Sequence, residues 1–398
     1  MRRNFPALIA CVLVALLLTA CDVPTPPPEL PSPTPGSSNP ENDSSRSQLT
    51  PVRATPDRGF TPIAAGPGHI YFVRDGHLWS VMPNGSGEKQ LSDLSIASTP
   101  APSPDGTMVA WISTQDLYVV PSTGGTAKKL YSGAMTDRQR IGWSPDGKWI
   151  GLFTFDPNSV GVEQAWAIPT FPGNNQPIEI TTFTGSNGDR GASYERCVKW
   201  SPDGNWVAVG AAMNPSRILR WPLSPQYTTD NGGIIEIAGG EPDWAPDSRT
   251  LLYTETMDGA VLVYSILDNG STPFRNEKLM VGTGLGEYAQ GPGPLWSPAS
   301  VGDDSDVLVY RSRSLSGEPE VAVRSRGGRD YSSLPTLTNN PSWSPSGDRL
   351  VVETGVVKNA DLGLQWSPTG LAIATISLTG DQKLTPLTQN AQMPMWGK

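Results

Sequence analysis

From about residue 69 onward the chain alternates short apolar stretches with clusters of turn-forming residues. Trp149-Ile150-Gly151-Leu152-Phe153, Trp206-Val207-Ala208-Val209, Leu251-Leu252-Tyr253 and Leu350-Val351-Val352 are examples. Their length and their β-branched and aromatic content predict strands. Just ahead of each stands a version of one motif: WSPDG at 143–147 and 200–204, WAPDS at 244–248 and WSPSG at 343–347. WSPAS at 296–300 and a degenerate PSPDG at 102–106 extend the series, and a lone Trp396 lies near the end of the sequence. The motif reads as a tight reversal, because Pro presets φ, Asp bonds its own backbone two residues on and Gly accepts φ > 0. Each copy therefore joins a short strand to a second, better one.

Neighbouring copies are roughly 40 to 57 residues apart, a period that marks a repeat array such as a propeller. The expected fold is all-β, a β-propeller of four-stranded antiparallel blades. Seven blades are expected, and the spacing leaves six or eight open. The first takes strands from 69–73, 78–82 and 89–91, and the others span about 99–133, 141–182, 198–237, 242–281, 294–337 and 341–388. Met393-Pro394-Met395-Trp396 is expected to supply the missing first strand of the first blade. The ends are thereby closed within one blade, which removes open sheet edges. A second Trp-Ser-Pro at 366–368 is assigned to a long interior loop of the last blade. One aromatic ring per blade is expected to fill the wedge between sheets. Where Pro102 replaces Trp, Trp111 is expected to refill the gap.

Several features together resemble the TolB-type (WD40-like) propeller repeat: the repeated WSPDG with its apolar strand, Asp116-Leu117-Tyr118-Val119-Val120, the Thr123-Gly124-Gly125 hairpin and Lys128-Lys129-Leu130. The pattern is also similar to the propellers of the dipeptidyl-peptidase IV and prolyl-oligopeptidase families. The resemblance covers nearly all of the repeat region and implies the fold; it does not select a function, since such propellers serve as scaffolds, filters and binding modules. TolB-type proteins carry a small α/β domain ahead of a propeller that usually has six blades, and the peptidases carry a hydrolase domain. The segment ahead of the repeats here has neither character.

That segment opens with Arg2-Arg3 and an apolar run at 7–18, too short for a comfortable membrane span, followed by Leu18-Thr19-Ala20-Cys21. It resembles a bacterial lipoprotein signal peptide with its lipobox. The resemblance implies removal of residues 1–20, lipidation of Cys21, and an extracytoplasmic protein anchored to the cell membrane, on its periplasmic face where the cell has two membranes. Asp22 fits retention at the inner membrane in that case. Residues 21–62 are rich in Pro, Ser, Thr and Asn, cannot bury a core and are expected to form a disordered tether, on the order of 120 Å when extended. The propeller is assigned to 63–398.

Composition narrows the chemistry. The formal net charge is −9, and loss of Arg2 and Arg3 takes it to about −11, which disfavours nucleic acid as a partner. Two histidines, His69 and His77, are too few for an imidazole metal site and the only bases for a Ser-His-Asp arrangement. G-x-S-x-G, H-E-x-x-H and P-loop patterns do not occur. Asp303-Asp304-Ser305-Asp306 lacks the Gly and Glu of a calcium loop and reads as a solvated turn. Cys197 is expected to be a buried strand residue. No catalytic residue, cofactor or metal is assigned.

The long connections at 156–163, 184–196, 282–293 and 355–365 fall on one face of the expected ring, and the tight turns on the other. Loops on a rigid scaffold are where binding usually resides. The partner site is therefore placed on that face, at Asp189, Arg190, Tyr194, Glu195, Arg196, Glu287 and Tyr288, whose mixture of Tyr, Arg and acids suits a protein interface. The expected function is protein-protein interaction in the cell envelope, as a scaffold or a peripheral subunit of a membrane complex. A carbohydrate or cell-wall binding module, with Trp221 and Tyr227 as exposed aromatics, and a propeller-type periplasmic hydrolase or lactonase are the alternatives.

Overall fold

The computed structural model describes residues 68–134, 139–155, 162–171, 176–184, 196–211, 215–223, 234–237, 239–255, 261–265, 275–278, 294–300, 306–314, 318–327, 331–335, 337–360, 363–378 and 382–398. All the described residues belong to one compact unit, within 58–398.

The described strands run β1 (Ile70–Arg74), β2 (His77–Val81), β3 (Lys89–Ser95), β4 (Ala101–Pro102), β5 (Met108–Ser113), β6 (Asp116–Pro121), β7 (Lys128–Ser132) and β8 (Gln139–Arg140). Next come β9 (Gly142–Trp143), β10 (Trp149–Phe155), β11 (Val162–Pro169), β12 (Ile178–Thr184), β13 (Arg196–Trp200), β14 (Trp206–Gly210), β15 (Ser216–Arg220) and β16 (Ile234–Ile237). After them are β17 (Gly239–Trp244), β18 (Thr250–Glu255), β19 (Val261–Ser265), β20 (Arg275–Lys278), β21 (Leu295–Trp296), β22 (Val307–Arg313), β23 (Pro319–Ser325) and β24 (Tyr331–Ser333). The last are β25 (Thr338–Trp343), β26 (Arg349–Ala360), β27 (Gly363–Thr375), β28 (Lys383–Gln389) and β29 (Gln392–Trp396).

Consecutive strands pair as antiparallel four-stranded sheets: β4 to β7, β9 to β12, β13 to β16, β17 to β20, β21 to β24 and β25 to β28. One further sheet has the order β29-β1-β2-β3, so the last strand of the chain stands beside the first, with Ile70 opposite Trp396. First strands touch in succession: β29 with β4, β4 with β9, β9 with β13, β13 with β17, β17 with β21, and β25 with β29; β22 and β23 meet β25. The result is an all-β propeller whose first strands line its inside.

The turns hold together as their chemistry predicts. In the copy at Ser144 the hydroxyl donates to Asp146 Oδ1 at 2.6 Å and accepts from Trp149 N at 3.0 Å, while Asp146 accepts from Lys148 N at 3.1 Å. Gly147, at φ 69°, bonds back to the Ser144 carbonyl at 2.9 Å. Ser103 with Asp105 and Ser201 with Asp203 repeat the arrangement. At Ala245 there is no hydroxyl, and Thr250 takes its place, donating to Asp247 Oδ2 at 2.6 Å. The side chains of Asp105, Asp146, Asp203 and Asp348 all titrate below the usual carboxylate range. At Asp105 the Ser103 hydroxyl is the main cause; at the other three burial pushes upward, and donors led by Ser144, Ser201 and Ser346 outweigh it.

Rings fill the wedges. Trp200, Trp244, Trp296, Trp343 and Trp396 are all buried, and Trp143 is half-buried. Two of them reach back to the preceding first strand: Trp143 Nε1 donates to Ala101 O at 2.8 Å and Trp244 Nε1 to Lys199 O at 3.0 Å. Trp111 is fully buried with Tyr71, Leu78, Leu91, Val109 and Val120, between the first two sheets and stacked on Tyr118. It fills the wedge that Pro102 leaves without a ring.

Two expectations are corrected. Residues 355–365 are not a loop: β26 and β27 form one long hairpin whose pairing passes through Val357 opposite Trp366 to Ala360 opposite Gly363. Gly355 makes this geometry fit, because a Cβ there would lie 2.7 Å from the Trp366 ring and 2.5 Å from the Ser367 carbonyl. The sheet of β13 to β16 also gains a fifth strand, since β8 pairs parallel with β13. Gly142 explains it: a Cβ there would stand 2.1 Å from Val198 O, so the chain at β9 lies against β13 and carries Gln139 and Arg140 onto its edge.

Candidate functional site

The antiparallel order sends every Ser-Pro turn to one face of the ring, the turn face, and the connections between second and third strands, and from each sheet to the next, to the opposite loop face. Gly397 N bonds His69 O at 2.9 Å beside Trp396, so the described chain enters at Gly68 on the turn face.

Inner strands carry a pattern that positions side chains at the loop-face end of the ring. Pro100, Pro242, Pro294, Pro341 and Pro394 each stand two residues before the Trp position of the motif. Proline has no N–H to give the ladder, so a first strand carrying it favours irregular pairing. In three sheets the residue before it is left-handed, Glu241 at φ 54°, Asn340 at 45° and Met393 at 53°, and the register there shifts as in a bulge. Bulges of this kind re-aim side chains and backbone donors.

Charged groups gather along these strands. Lys199 Nζ pairs with Asp243 Oδ1 at 2.7 Å, one sheet to the next, and Asp243 Oδ2 accepts from Trp296 N at 2.9 Å in the sheet after that. Burial alone would lower the Lys199 pKa; the Asp243 charge, with Cys197 beside it, outweighs burial and Arg140 and holds the ammonium above its usual value. Glu241, buried, pairs with buried Arg311 at 3.4 Å. Arg140 reaches Met395 Sδ, on β29, at 3.9 Å. Glu353, 2% exposed, accepts from Met393 N at 2.6 Å and from Trp366 Nε1 at 3.0 Å.

Of the residues expected to bind a partner, Arg196 is described. It opens β13 at the loop-face end, and its guanidinium is ion-paired with Glu163 of the preceding sheet. Asp189, Arg190, Tyr194, Glu195, Glu287 and Tyr288 lie outside the described residues, as do Cys21, Tyr227 and residues 303–305. Trp221 is half-buried rather than exposed: its ring packs edge-on against Trp149 and Trp200 at 5.8 and 5.4 Å, against the core. His69 stacks on Tyr71 just ahead of β1, His77 Nδ1 lies 3.4 Å from Leu94 O, and Cys197 is buried on β13. Among the described residues no group of three His, Cys, Asp or Glu is placed to hold a metal ion.

Sequence reasoning missed Lys199, Asp243, Glu241, Arg311 and Glu353. The signal for the first three was a charged residue inside an inner strand: Lys199 and Asp243 stand one residue before the Trp of their repeats, and Glu241 three before it.

No model of a known protein family matches the chain. Over 105 residues it is 32% identical to Tricorn protease homolog 1 of Streptomyces coelicolor, a match to 25% of this chain and 10% of that protein. The chain thus spans about a tenth of the length of the curated relative it matches. Among solved structures, prolyl oligopeptidase B of Galerina marginata aligns with a TM-score of 0.52 at 12% identity, over 82% of this chain and 52% of that one. A Bacteroides fragilis protein assigned as a 6-phosphogluconolactonase aligns at 0.50 and 14%, over 81% and 96%. Structural neighbours include TolB of Acinetobacter baumannii, at 0.46 and 15% over 83% and 66%. The likenesses to prolyl oligopeptidase B and the Bacteroides protein show a propeller fold, which does not by itself select a function.

Proposed function

We propose that this chain is an extracytoplasmic lipoprotein whose TolB-type propeller binds other proteins of the cell envelope through its loop face. In this reading residues 1–20 are the signal peptide, Cys21 carries the lipid, residues 21–62 form the tether, and 63–398 close as a seven-bladed ring. The observation that carries the reading is the entry of the described chain at Gly68 on the turn face. A tether joined there leaves from the turn face, so the loop face, with the long connections and the β26–β27 hairpin, is free of the attachment and open to a partner. Acyl chains at about 0.8 kcal/mol per buried CH₂ supply the anchor without a spanning helix.

Cross-linking on intact cells followed by mass spectrometry tests it. The expected result is an acylated N-terminal peptide beginning at Cys21 and cross-links from the loop face to a membrane or envelope protein. A soluble, unacylated chain would overturn the anchor, and cross-links confined to the turn face would overturn the binding face. Stoichiometric divalent metal or glycan on the purified protein would favour lactonase-type chemistry or wall binding instead.

A further inference from the structure

We propose that Glu353 is a latch that couples the β26–β27 hairpin to the closure of the ring. Beyond Thr354 strand β26 has no β25 partner, and ahead of Gly370 strand β27 has no β28 partner. Apart from the bond from Gly355 N to Leu337 O at 3.2 Å at its base, residues 355–360 and 363–368 have their described strand pairing with one another, as an arm on the loop face. A two-stranded ribbon is marginal by itself. This one is fixed at its base by the Trp366 ring lying over Gly355 and by the bond from Trp366 Nε1 to Glu353 Oε2 at 3.0 Å.

The other carboxylate oxygen serves a different element. Glu353 Oε1 accepts the Met393 amide at 2.6 Å, and Met393 is the left-handed residue of β29, at the point where its register with β1 shifts. A regular ladder would give that amide to β1; the bulge turns it to Glu353 instead. One buried carboxylate thus holds an arm that projects from the ring and the strand that closes it. Both bonds are charge-assisted, and loss of either donor leaves a buried charge less well stabilised. A displacement of Trp366 by anything seated on the arm is felt at β29, while β29 keeps its ladder to β1 and the bond from Trp396 N to Ser342 Oγ at 3.0 Å.

Hydrogen exchange of the full chain, read by mass spectrometry on peptides covering 355–369 and 391–398, tests the coupling. Trp366→Phe keeps most of the ring and removes the indole donor. It should speed exchange in both peptides, on the order of tenfold for one lost bond to a charged group, and leave β5 and β6 unchanged. Glu353→Gln, which keeps the side chain's shape, should do the same. Ser342→Ala loosens β29 without touching Glu353, and should speed exchange at 391–398 alone. Unchanged exchange at 391–398 in Trp366→Phe would overturn the proposal. So would equal loosening of the arm in Ser342→Ala, because the coupling would then not pass through Glu353.

Discussion

Asp243→Asn isolates the inner-strand charges most cleanly, because asparagine keeps the shape and the acceptor for Trp296 N while removing the charge opposite Lys199. Breaking a buried ion pair from one side costs about 3–5 kcal/mol, since the remaining charge is left unpaired in a poorly solvated place. The Lys199 and Asp243 side chains keep 26% and 18% of their exposure, so water screens part of that cost. We therefore expect about 2 kcal/mol. Lys199→Met alone leaves Asp243 with the Trp296 amide and should cost less, about 1 kcal/mol. The double variant has no unpaired charge, so it should be more stable than the sum of the two by about 1 kcal/mol or more, the signature of a contact pair. Urea unfolding followed by tryptophan fluorescence reads all three, with Trp200 and Trp244 on the same two strands as reporters. Asp243→Asn within 0.5 kcal/mol of the parent, together with strict additivity, would refute the claim that this pair joins neighbouring sheets.

Trp111→Ala removes a fully buried ring from the wedge between the first two sheets and should cost about 3–5 kcal/mol, read by the same unfolding assay. Gly142→Ala places a Cβ 2.1 Å from a backbone carbonyl and should destabilise the chain by more than the same change at Gly147. Gly147 has open space around it, so its cost there is limited to the strain of φ 69°. Asp105, Asp146, Asp203 and Asp348 have folded-state pKa values below those of the unfolded chain. Their stabilisation is fully present above the ordinary carboxylate value of about 4 and is lost as pH falls through the folded values. Urea midpoints should therefore fall below about pH 4, less steeply in Asp146→Asn/Asp203→Asn.

The parts of the fold that were legible are those set by chemistry within a few residues. Ser144, Asp146 and Gly147 close their turn with one another, and that same logic repeats wherever the motif does. The closing strand at 392–396 was legible because a repeat beginning without its first strand must find one elsewhere, and Trp396 supplied the missing ring. What escaped depends on partners distant in sequence. Lys199 meets Asp243, and Glu241 meets Arg311, only because adjacent sheets bring them together. The hairpin at 355–365 was misread for a local reason: Gly355, Asn359, Gly363 and Pro368 are turn formers, and nothing nearby says that Gly355 exists to admit the Trp366 ring. The strand β8 could not be read because the close approach at Gly142 is a contact with another sheet. For the binding face, sequence placed the long connections together, and of the named residues Arg196 is the one whose side chain has a described place, at the loop-face end of an inner strand.

The central claim is that the loop face binds an envelope protein while the lipid holds the chain to the membrane. Quantitative mass spectrometry of what co-purifies from native membranes in mild detergent addresses it most directly, comparing the parent with a variant carrying Arg190→Glu, Tyr194→Ala, Glu287→Lys and Tyr288→Ala. The account predicts a stoichiometric envelope protein with the parent and its loss with the variant, both forms remaining folded and membrane-bound. Recovery of the parent alone, or of the same companion with both forms, would contradict it.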